Sequence, residues 1–301
     1  MSKNLLPNFI VGGFPKSGTS SLYSYLSQHP DVCGCAKKEP KYFWPLVYDR
    51  EPESLDSYKS LFDHCDINAK IRFEASAKYI YGGRKVAQGI KDTIGENIKI
   101  LFIVREPIAQ LLSIFKYKKY CLVIPKETSF YEYTKNSLEH GSKELFQESD
   151  QLYDVIEHGK YHHYLSQWFE VFDDNVRVVF FDDLKKDPIK LLGDIGDWIG
   201  IEKEAFKSVN LNPDNVSTNV KNTAFHKFAR YAFHGFEEFW RMNPKFKNFS
   251  RDLYHKVNGE KHSDKIDDKT RGLLANKYDD EKTKLRELLS NRGYTNLPTW
   301  L

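Results

Sequence analysis

The chain of 301 residues lacks any apolar run long enough to cross a membrane, which takes roughly 18 residues or more. Residues 1–7 contain no long apolar segment of the kind that a signal peptide needs. Neither sign of charge dominates, because 45 Lys and Arg residues stand against 42 Asp and Glu residues, for a formal net charge of +3. So small an excess does not indicate a nucleic-acid binder, and we expect no nucleic-acid partner. These absences predict a cytoplasmic protein without a transmembrane segment.

Cysteine is also scarce, with four in the chain: Cys33, Cys35, Cys65 and Cys121. Cys33 and Cys35 form a Cys-x-Cys pair, but no further Cys or His stands near them at the spacing that metal sites use. We therefore expect reduced thiols, as in cytoplasmic proteins, and no metal ion.

Short apolar runs separated by helical patterns are the main structural signal. Strands are predicted at residues 9–11, 98–104 and 176–181, and more weakly at 71–74. Helices are predicted at residues 20–28, 83–94, 108–117, 153–172, 188–199 and 281–291. Strands that alternate with helices predict an α/β fold of three layers, a parallel sheet with helices on both faces.

Residues 225–256 carry aromatic side chains at three- and four-residue spacing, which indicates an amphipathic helix. We expect its aromatic stripe to pack on the sheet. A wall of an acceptor site and a helix on a membrane surface are the alternatives.

Residues 12–20 (GGFPKSGTS), here called the phosphate loop, lie between the first predicted strand and the first predicted helix. Backbone N–H groups converge at such a turn, and the dipole of the following helix favours anions. Gly13 and Gly18 are five residues apart, as in a Walker loop. However, Thr19 takes the place of the Walker lysine, and the lysine of this loop is Lys16. The loop therefore predicts an anion site of unusual form.

A second anion site is predicted where the strongest strand pattern ends, at Arg105. Ligands of open parallel sheets bind at the carboxyl ends of the strands. Ser113 follows eight residues later, two turns along the next helix, and shares a face with the start of that helix. The alternative is a surface arginine paired with Glu106.

The segments at 14–22 (FPKSGTSSL) and 103–113 (IVREPIAQLLS) resemble the two nucleotide-binding signatures of sulfotransferases that use 3′-phosphoadenosine 5′-phosphosulfate (PAPS). The first is similar to the 5′-phosphosulfate loop and the second to the 3′-phosphate site. The resemblance covers residues 8–205 and is closest to the carbohydrate branch, including bacterial members. It implies a P-loop-type sulfotransferase fold in a single domain, 1–301, in which a mostly helical part, 206–301, packs on the nucleotide-binding core.

The resemblance also implies which residues bind the nucleotide. These are Pro15, Lys16, Ser17, Gly18, Thr19, Ser20, Arg105 and Ser113. The donor is PAPS, the product is adenosine 3′,5′-bisphosphate (PAP), and no metal is expected. Lys16 has a second, catalytic task, because the oxygen between phosphate and sulfur gains negative charge as its bond to sulfur breaks.

Residues 38–43 (KEPKYF) resemble the segment in which heparan sulfate sulfotransferases carry a catalytic glutamate, and Glu39 occupies that place. A carboxylate within hydrogen-bond reach removes the proton from an acceptor hydroxyl as it attacks. The alternatives are a solvated turn of charged residues and a histidine base, with His29, His162 and His163 as candidates.

Two segments depart from the family pattern. In residues 74–79 (EASAKY), Ala75 stands where a functional lysine usually lies, and Lys78 either replaces that lysine or faces solvent. The segment that covers the nucleotide in many members is not evident. Lys221 and Lys227 are the candidates for it.

Together these features predict an enzyme that moves a sulfuryl group from PAPS to a hydroxyl or amine of an acceptor. A glycan or glycolipid is the acceptor that we expect first, and a small molecule is the alternative. Aromatic segments at 42–44, 79–81 and 117–120 are the candidate acceptor contacts. One alternative is a P-loop kinase or NTPase, which needs a magnesium-binding acid such as Asp182 or Asp183. The other is a non-catalytic nucleotide-binding scaffold, which Ala75 favours.

Overall fold

A five-stranded parallel sheet forms the centre of the computed structural model, which describes residues 6–141, 152–211, 219–235, 250, 253–254, 256–260 and 264–301. The strands lie in the order β2-β3-β1-β4-β5. Their bounds are β1 (Phe9–Gly13), β2 (Val32–Gly34), β3 (Ile71–Ala75), β4 (Lys99–Val104) and β5 (Val176–Phe180). In the register, Ile10 of β1 lies beside Glu74 of β3 on one side and Ile100 of β4 on the other.

Helices connect the strands. They are α1 (Thr19–Leu26), α2 (Leu55–Ser60), α3 (Gly83–Ile94), α4 (Pro107–Tyr120), α5 (Phe130–His140), α6 (Tyr161–Phe172), α7 (Phe181–Lys186), α8 (Pro188–Ile199), α9 (Thr223–Gly235) and α10 (Asp268–Asn291). Short 3-10 helices occur at Trp44–Tyr48, Tyr79–Gly82, Glu157–Gly159, Asp173–Asn175 and Lys203–Ser208. A small antiparallel pair joins β6 (Asn219–Val220) to β7 (Gly259–Glu260).

Alternate residues of β4 enter two separate cores, as expected for a sheet covered on both faces. Ile100 and Phe102 pack with α3, α6 and α10, whereas Leu101 and Ile103 pack with α1 and α8. The predicted α/β architecture of three layers is therefore confirmed.

Several element bounds differ from the prediction. The helix predicted at 153–172 begins only at Tyr161, because a 3-10 turn precedes it. The last helix begins at Asp268, where Asp267 accepts a hydrogen bond from the Thr270 N–H. Helix α5 was not predicted, although Ser129 and Glu132 form a complete capping box, a signal readable in the sequence.

The expectation of four reduced thiols is wrong, because Cys33 and Cys65 form a disulfide. Cys33 lies on β2, and the turn after α2 brings Cys65 to a Cα–Cα distance of 5.7 Å, within the range that a disulfide spans. Cys35 and Cys121 are free. His64 lies beside the disulfide and completes a possible metal-binding group, but both thiolates are consumed while the bond is intact.

The expected packing of the aromatic stripe on the sheet is wrong for the side chains that the structure describes. On α9, the stripe residues Phe225 and Phe228 are 42% and 68% exposed. Among the described side chains of this helix, His226 is buried, and its Nε2 lies 2.7 Å from the carbonyl oxygen of Tyr120 on α4. The later residues of the stripe lie outside the described side chains.

Candidate functional site

A cleft of about 980 Å³ opens where β1, β3 and β4 end. Its walls come from the residues that follow these strands, from residues 38–41, and from α4 and α7. The charged side chains of its lining are Lys16, Lys38, Glu39, Lys41, Lys78, Arg105, Lys116 and Lys185. Within the described lining, seven cationic side chains thus surround one carboxylate. The cleft is suited to ligands with several negative charges.

The phosphate loop forms one wall of this cleft. Gly18 has a φ of 103°, and a Cβ at this position would lie 2.9 Å from the side chains of Phe181 and Leu184. Both features require glycine. Helix α1 begins at the next residue, Thr19, and Gly18 offers no side-chain cap. Because the first N–H groups of a helix have no intrahelical acceptors, this turn presents donors and a positive dipole end to the cleft.

Lys16 lies inside the loop, in the left-handed region with a φ of 63°. Its Nζ is 4.3 Å from the centre of the Tyr117 ring on α4. Burial lowers the pKa of Lys16; the nearby Cys121 and Glu39 raise it, and Arg105 lowers it. The ammonium group therefore lies within electrostatic range of both Arg105 and Glu39.

Arg105 meets the phosphate loop directly. Its Nη1 donates to the carbonyl oxygen of Lys16 at 3.2 Å, and its guanidinium carbon lies 4.6 Å from the centre of the Phe181 ring. Burial lowers the pKa of Arg105, which remains cationic at neutral pH. Glu106 caps α4 instead, accepting from the Ala109 N–H at 2.6 Å. Arg105 therefore points at the loop and not at Glu106.

Most of the predicted nucleotide contacts meet in this cleft. Pro15, Lys16, Gly18, Thr19, Ser20, Arg105 and Ser113 all belong to its lining. Ser17 does not fit the pattern, because it is fully buried and its N–H donates to the Phe14 carbonyl at 3.2 Å. Its hydroxyl has no hydrogen-bond partner within the described part of the chain. The predicted nucleotide contact of Ser17 is not supported by this burial.

Gln110, which the sequence reasoning missed, supports the phosphate loop from α4. Its Nε2 donates to the Pro15 carbonyl at 2.9 Å, and its Oε1 accepts from the Tyr161 hydroxyl at 2.9 Å. The side chain is 1% exposed. The sequence feature that could have indicated this role is an amide side chain among the apolar residues of IAQLL, on the predicted buried face of a helix. Gln110 ties the loop to α4 and α6.

Glu39 lies on another wall of the cleft, in the irregular residues 36–43, here called the Glu39 segment. Glu39 and Lys41 both have left-handed φ angles, 57° and 58°, which cost non-glycine residues about 1–2 kcal/mol each. The Glu39 N–H donates to the Ala75 carbonyl at 3.1 Å. The carboxylate forms an ion pair with Lys38 at 3.2 Å and is 31% exposed. The predicted base is therefore accessible from the cleft.

A buried carboxyl group, Glu74, lies at the end of β3 behind this segment. The Tyr58 hydroxyl donates to it at 2.5 Å, the Ser76 hydroxyl at 2.6 Å and the Tyr79 hydroxyl at 3.3 Å. Burial raises the pKa of Glu74 to about 7, against the opposing effect of these three hydrogen bonds. The sequence had presented Glu74 only as part of a family signature.

Lys78 lies in the cleft and not on the outer surface. It is half-buried, belongs to the lining, and its Nζ is 5.7 Å from the centre of the Trp44 ring. Ala75, in contrast, is buried in the sheet. Lys78 therefore faces the cleft and not bulk solvent, and its replacement of a lysine at position 75 stays a prediction.

The histidine alternatives to Glu39 lie elsewhere. His29 is buried, and its ring nitrogens lie 2.8 Å from the Glu202 carbonyl oxygen and 3.0 Å from the Asp31 nitrogen. Neither His29 nor His162 nor His163 belongs to the lining described for the cleft. A histidine base is therefore not supported.

The acids that a magnesium-dependent enzyme would need also lie elsewhere. Asp182 accepts a hydrogen bond from the Trp300 Nε1 at 3.0 Å. Together with Asp183 it lines another cavity, bordered by residues 292–299, and neither acid belongs to the described lining of the cleft. The kinase alternative thus lacks its expected acid at the phosphate loop.

Of the three aromatic segments, the last one faces the cleft, through Tyr117 and Tyr120. Tyr79 and Tyr81 are buried in the core, and Tyr42 stacks on a neighbouring tyrosine with ring centres 4.2 Å apart. The candidates for covering the nucleotide, Lys221 and Lys227, are exposed and outside the described lining. Residues 212–218, in the same stretch, lie outside the described part.

Comparisons with known proteins agree with this geometry. A family model described as "Sulfotransferase domain" matches residues 6–265. The heparan sulfate glucosamine 3-O-sulfotransferase 3B1 of Homo sapiens is 24% identical over 201 residues, which are 66% of this chain and 47% of that protein. The bifunctional heparan sulfate N-deacetylase/N-sulfotransferase 1 of Caenorhabditis briggsae is 24% identical over 216 residues, 69% of this chain and 24% of that protein.

Similarity in structure extends over almost the whole chain. The crystal structure of a sulfotransferase from Alicyclobacillus acidocaldarius superposes with a TM-score of 0.67 at 22% identity, covering 98% of both chains. This likeness confirms the fold. The chain spans about a quarter to a half of the length of the two curated relatives above.

Proposed function

The chain belongs to the sulfotransferase domain family, and from this premise we propose that it transfers the sulfuryl group of PAPS to a hydroxyl or amine of a glycan. The observation that carries the proposal is the meeting of Lys16, the start of α1 and Arg105 in one cleft. PAPS carries two separate anionic ends, and this cleft offers two separate sets of cations and donors.

The residues present fit such a donor. The first turn of α1 and Lys16 suit the 5′-phosphosulfate, since helix N-termini and fixed ammonium groups bind phosphate. Arg105 and Ser113 suit the 3′-phosphate, because a guanidinium binds phosphate with two parallel hydrogen bonds. The product PAP keeps both phosphates, so it would bind to the same two sets of residues.

In the proposed reaction, the acceptor oxygen or nitrogen attacks sulfur while the bond from sulfur to the bridging phosphate oxygen breaks. Glu39 takes the proton of the acceptor group. The electron pair of the broken bond stays on the phosphate oxygen, and Lys16 stabilises the negative charge there.

The charge of the cleft supports an acidic glycan as the acceptor. After the donor contacts of Lys16 and Arg105 and the ion pair of Lys38 with Glu39 are assigned, the lining still contains Lys41, Lys78, Lys116 and Lys185. Tyr117 and Tyr120 add aromatic faces on which sugar rings stack. The curated relatives named above are heparan sulfate enzymes, which agrees with an acidic glycan.

The location of the protein in the cell stays a prediction. No helix among the described residues is long and apolar enough to span a membrane. The Cys33–Cys65 disulfide removes the argument from reduced thiols, because disulfides persist mainly in oxidising compartments. The division into a core, 8–205, and a helical part, 206–301, of one domain is likewise proposed.

The function is tested by incubating the protein with PAPS labelled with radioactive sulfur and a panel of acidic and neutral glycans, in EDTA. We expect label on an acidic glycan and release of an equal amount of PAP. A parallel reaction with ATP and magnesium serves as the control for a kinase. Transfer of phosphate from ATP, or tight PAP binding without transfer to any acceptor, would contradict the proposal.

A further inference from the structure

Glu74 is a buried carboxyl group that the proposed reaction does not use. It is 0% exposed, and it is the one acidic side chain among the buried residues of the described chain. Burying a charge is costly unless hydrogen bonds compensate for it. The position of Glu74 therefore requires an explanation beyond packing.

Two hydroxyl groups link Glu74 to the Glu39 segment. The Ser76 hydroxyl donates to Glu74 at 2.6 Å and accepts from the Lys41 N–H at 3.2 Å. The Tyr79 hydroxyl donates to Glu74 at 3.3 Å and accepts from the Phe43 N–H at 3.1 Å. An ionised carboxylate only accepts hydrogen bonds, so both hydroxyl protons point toward it. The lone pairs of the two hydroxyl oxygens are then free to accept from the N–H groups of the segment.

These bonds support a backbone that is otherwise unfavourable. Glu39 and Lys41 both adopt left-handed φ angles on either side of Pro40. Such conformations persist only where the surroundings fix them. The N–H groups of Lys41 and Phe43 are the points at which the hydroxyls fix this segment.

We propose that Glu74 is a positioning residue whose ionised carboxylate orients the Ser76 and Tyr79 hydroxyls, and through them holds Glu39 in place toward the acceptor. The role of Glu39 in this statement rests on the proposed function. A protonated Glu74 carries a donor of its own. Its proton then competes with the Ser76 and Tyr79 hydroxyl protons for the same acceptor oxygens. The two hydroxyls are less well oriented as acceptors, and the segment loses part of the hydrogen bonding of its Lys41 and Phe43 N–H groups.

Other titratable groups face Glu74, namely Tyr58, Tyr79, Cys35 and Glu39. Burial raises the pKa of Tyr58 and of Tyr79 well above the usual value, and that of Cys35 to about 12. These three groups therefore stay neutral near pH 7, where burial brings the pKa of Glu74. The order of the Glu39 segment should rise as pH rises through about 7.

Stability should change with pH in the opposite direction. The folded state holds the Glu74 proton more tightly than the unfolded state, so between the unfolded pKa and about 7 the folded protein binds more protons. This contribution to stability is therefore present at low pH and is lost as pH rises toward 7. If Glu74 had a purely structural role, the order of the Glu39 segment and the stability of the protein would both fall as pH rises. In the positioning role, the order of the segment rises while the stability falls.

The test compares Glu74→Gln with the matched control Glu127→Gln, an exposed carboxylate outside the cleft. The first readout is the hydrogen-exchange protection of residues 36–43. In the wild type we expect about tenfold higher protection at pH 8 than at pH 6, because protonation of Glu74 at pH 6 costs the segment the equivalent of one charge-assisted hydrogen bond. Glu74→Gln should show the low value at both pH values, and Glu127→Gln should behave as the wild type.

The second readout is kinetic. Glu74→Gln should lower kcat for sulfuryl transfer about tenfold, remove the rise of kcat through pH 7, and leave PAP affinity unchanged. Tyr79→Phe, which breaks the link to Phe43 and keeps the ring, should also lower kcat. Tyr58→Phe serves as comparison, because the Tyr58 hydroxyl donates to Glu74 and, within the described residues, makes no hydrogen bond to the segment, while the ring that stacks on Tyr42 is kept; its effect should be smaller.

Two results would overturn the proposal: equal protection of the segment in wild type and Glu74→Gln at pH 8, or a rise of kcat through pH 7 that persists in Glu74→Gln. Because exchange protection is measured without substrate, a wild-type protein that transfers no sulfuryl group refutes the proposed function alone. In that case the exchange data still decide whether Glu74 orders the segment.

Discussion

The two walls of the cleft are built in different ways. The wall that we propose binds the donor, the donor wall, consists of regular elements: the phosphate loop joins β1 to α1, Arg105 follows β4, and Ser113 lies on α4. The wall that we propose faces the acceptor, the acceptor wall, is the Glu39 segment, which lies between β2 and the 3-10 helix Trp44–Tyr48 and has no regular structure. It is held by the Ser76 and Tyr79 hydroxyls behind it, and Cys33 of the Cys33–Cys65 disulfide precedes it in the chain.

This difference has a physical consequence. A wall made from strand ends and a helix N-terminus inherits its geometry from the sheet, so a single substitution there removes one group and leaves the others in place. A wall made from an irregular segment depends on a few hydrogen bonds. We therefore expect the two walls to respond differently to mutation.

Substitution of Lys16 should have the largest effect. Lys16→Ala removes the cation from the leaving oxygen, and we expect kcat/KM to fall about 10³-fold, the loss typical of a removed transition-state donor. Steady-state release of PAP measures it. The control is Lys135→Ala, an exposed lysine on α5 outside the described lining. Near-normal turnover in Lys16→Ala would show that Lys16 of the phosphate loop does not take part in the reaction.

Glu39→Gln should follow, with kcat lower by about 10²-fold. The amide keeps the shape of the side chain but accepts no proton, so acceptor turnover falls and KM for PAPS stays the same. Retained turnover would move the base to another residue.

Arg105→Ala should act on affinity more than on rate. Hydrogen bonds to a charged group contribute about 1.5–3 kcal/mol, so KM for PAPS should rise about 10- to 100-fold. Arg84→Ala, on the exposed side of α3, is the control. A fall in kcat with no change in KM would be the result against the assignment.

Loss of the disulfide should have the smallest effect on activity. Its partners are separated by 32 residues in sequence, and closing a loop of that length stabilises a protein by about 3–4 kcal/mol in the chain-entropy model. Replacing both Cys33 and Cys65 by Ser should lower the free energy of unfolding accordingly, while PAP binding stays unchanged. Denaturant titration measures the first quantity. An equal loss of PAP affinity would show that the walls are not independent.

The donor wall could be predicted from the sequence because its signals are local. A strand, glycines at fixed spacing and a helix start place Lys16 and Gly18, and a strand end places Arg105. Ser17 was the exception, since adjacent residues of a tight loop point in different directions and the sequence does not show which one is buried.

The acceptor wall could be predicted only in part. A resemblance placed Glu39, but the groups that hold it come from β3, α2 and the 3-10 helix Tyr79–Gly82, which are distant in sequence. The same holds for the pairing of Cys33 with Cys65, which depends on where the turn after α2 lies. Contacts of this kind follow from the tertiary fold and have no local signal.

The most direct test of two separate walls is calorimetric binding of PAP, and of the same nucleotide without its 3′-phosphate, to wild type, Arg105→Ala and Glu39→Gln. We predict that Arg105→Ala weakens PAP binding and hardly affects the nucleotide without the 3′-phosphate, while Glu39→Gln binds both as the wild type does. Weaker PAP binding in Glu39→Gln, or an equal loss for both nucleotides in Arg105→Ala, would contradict this account.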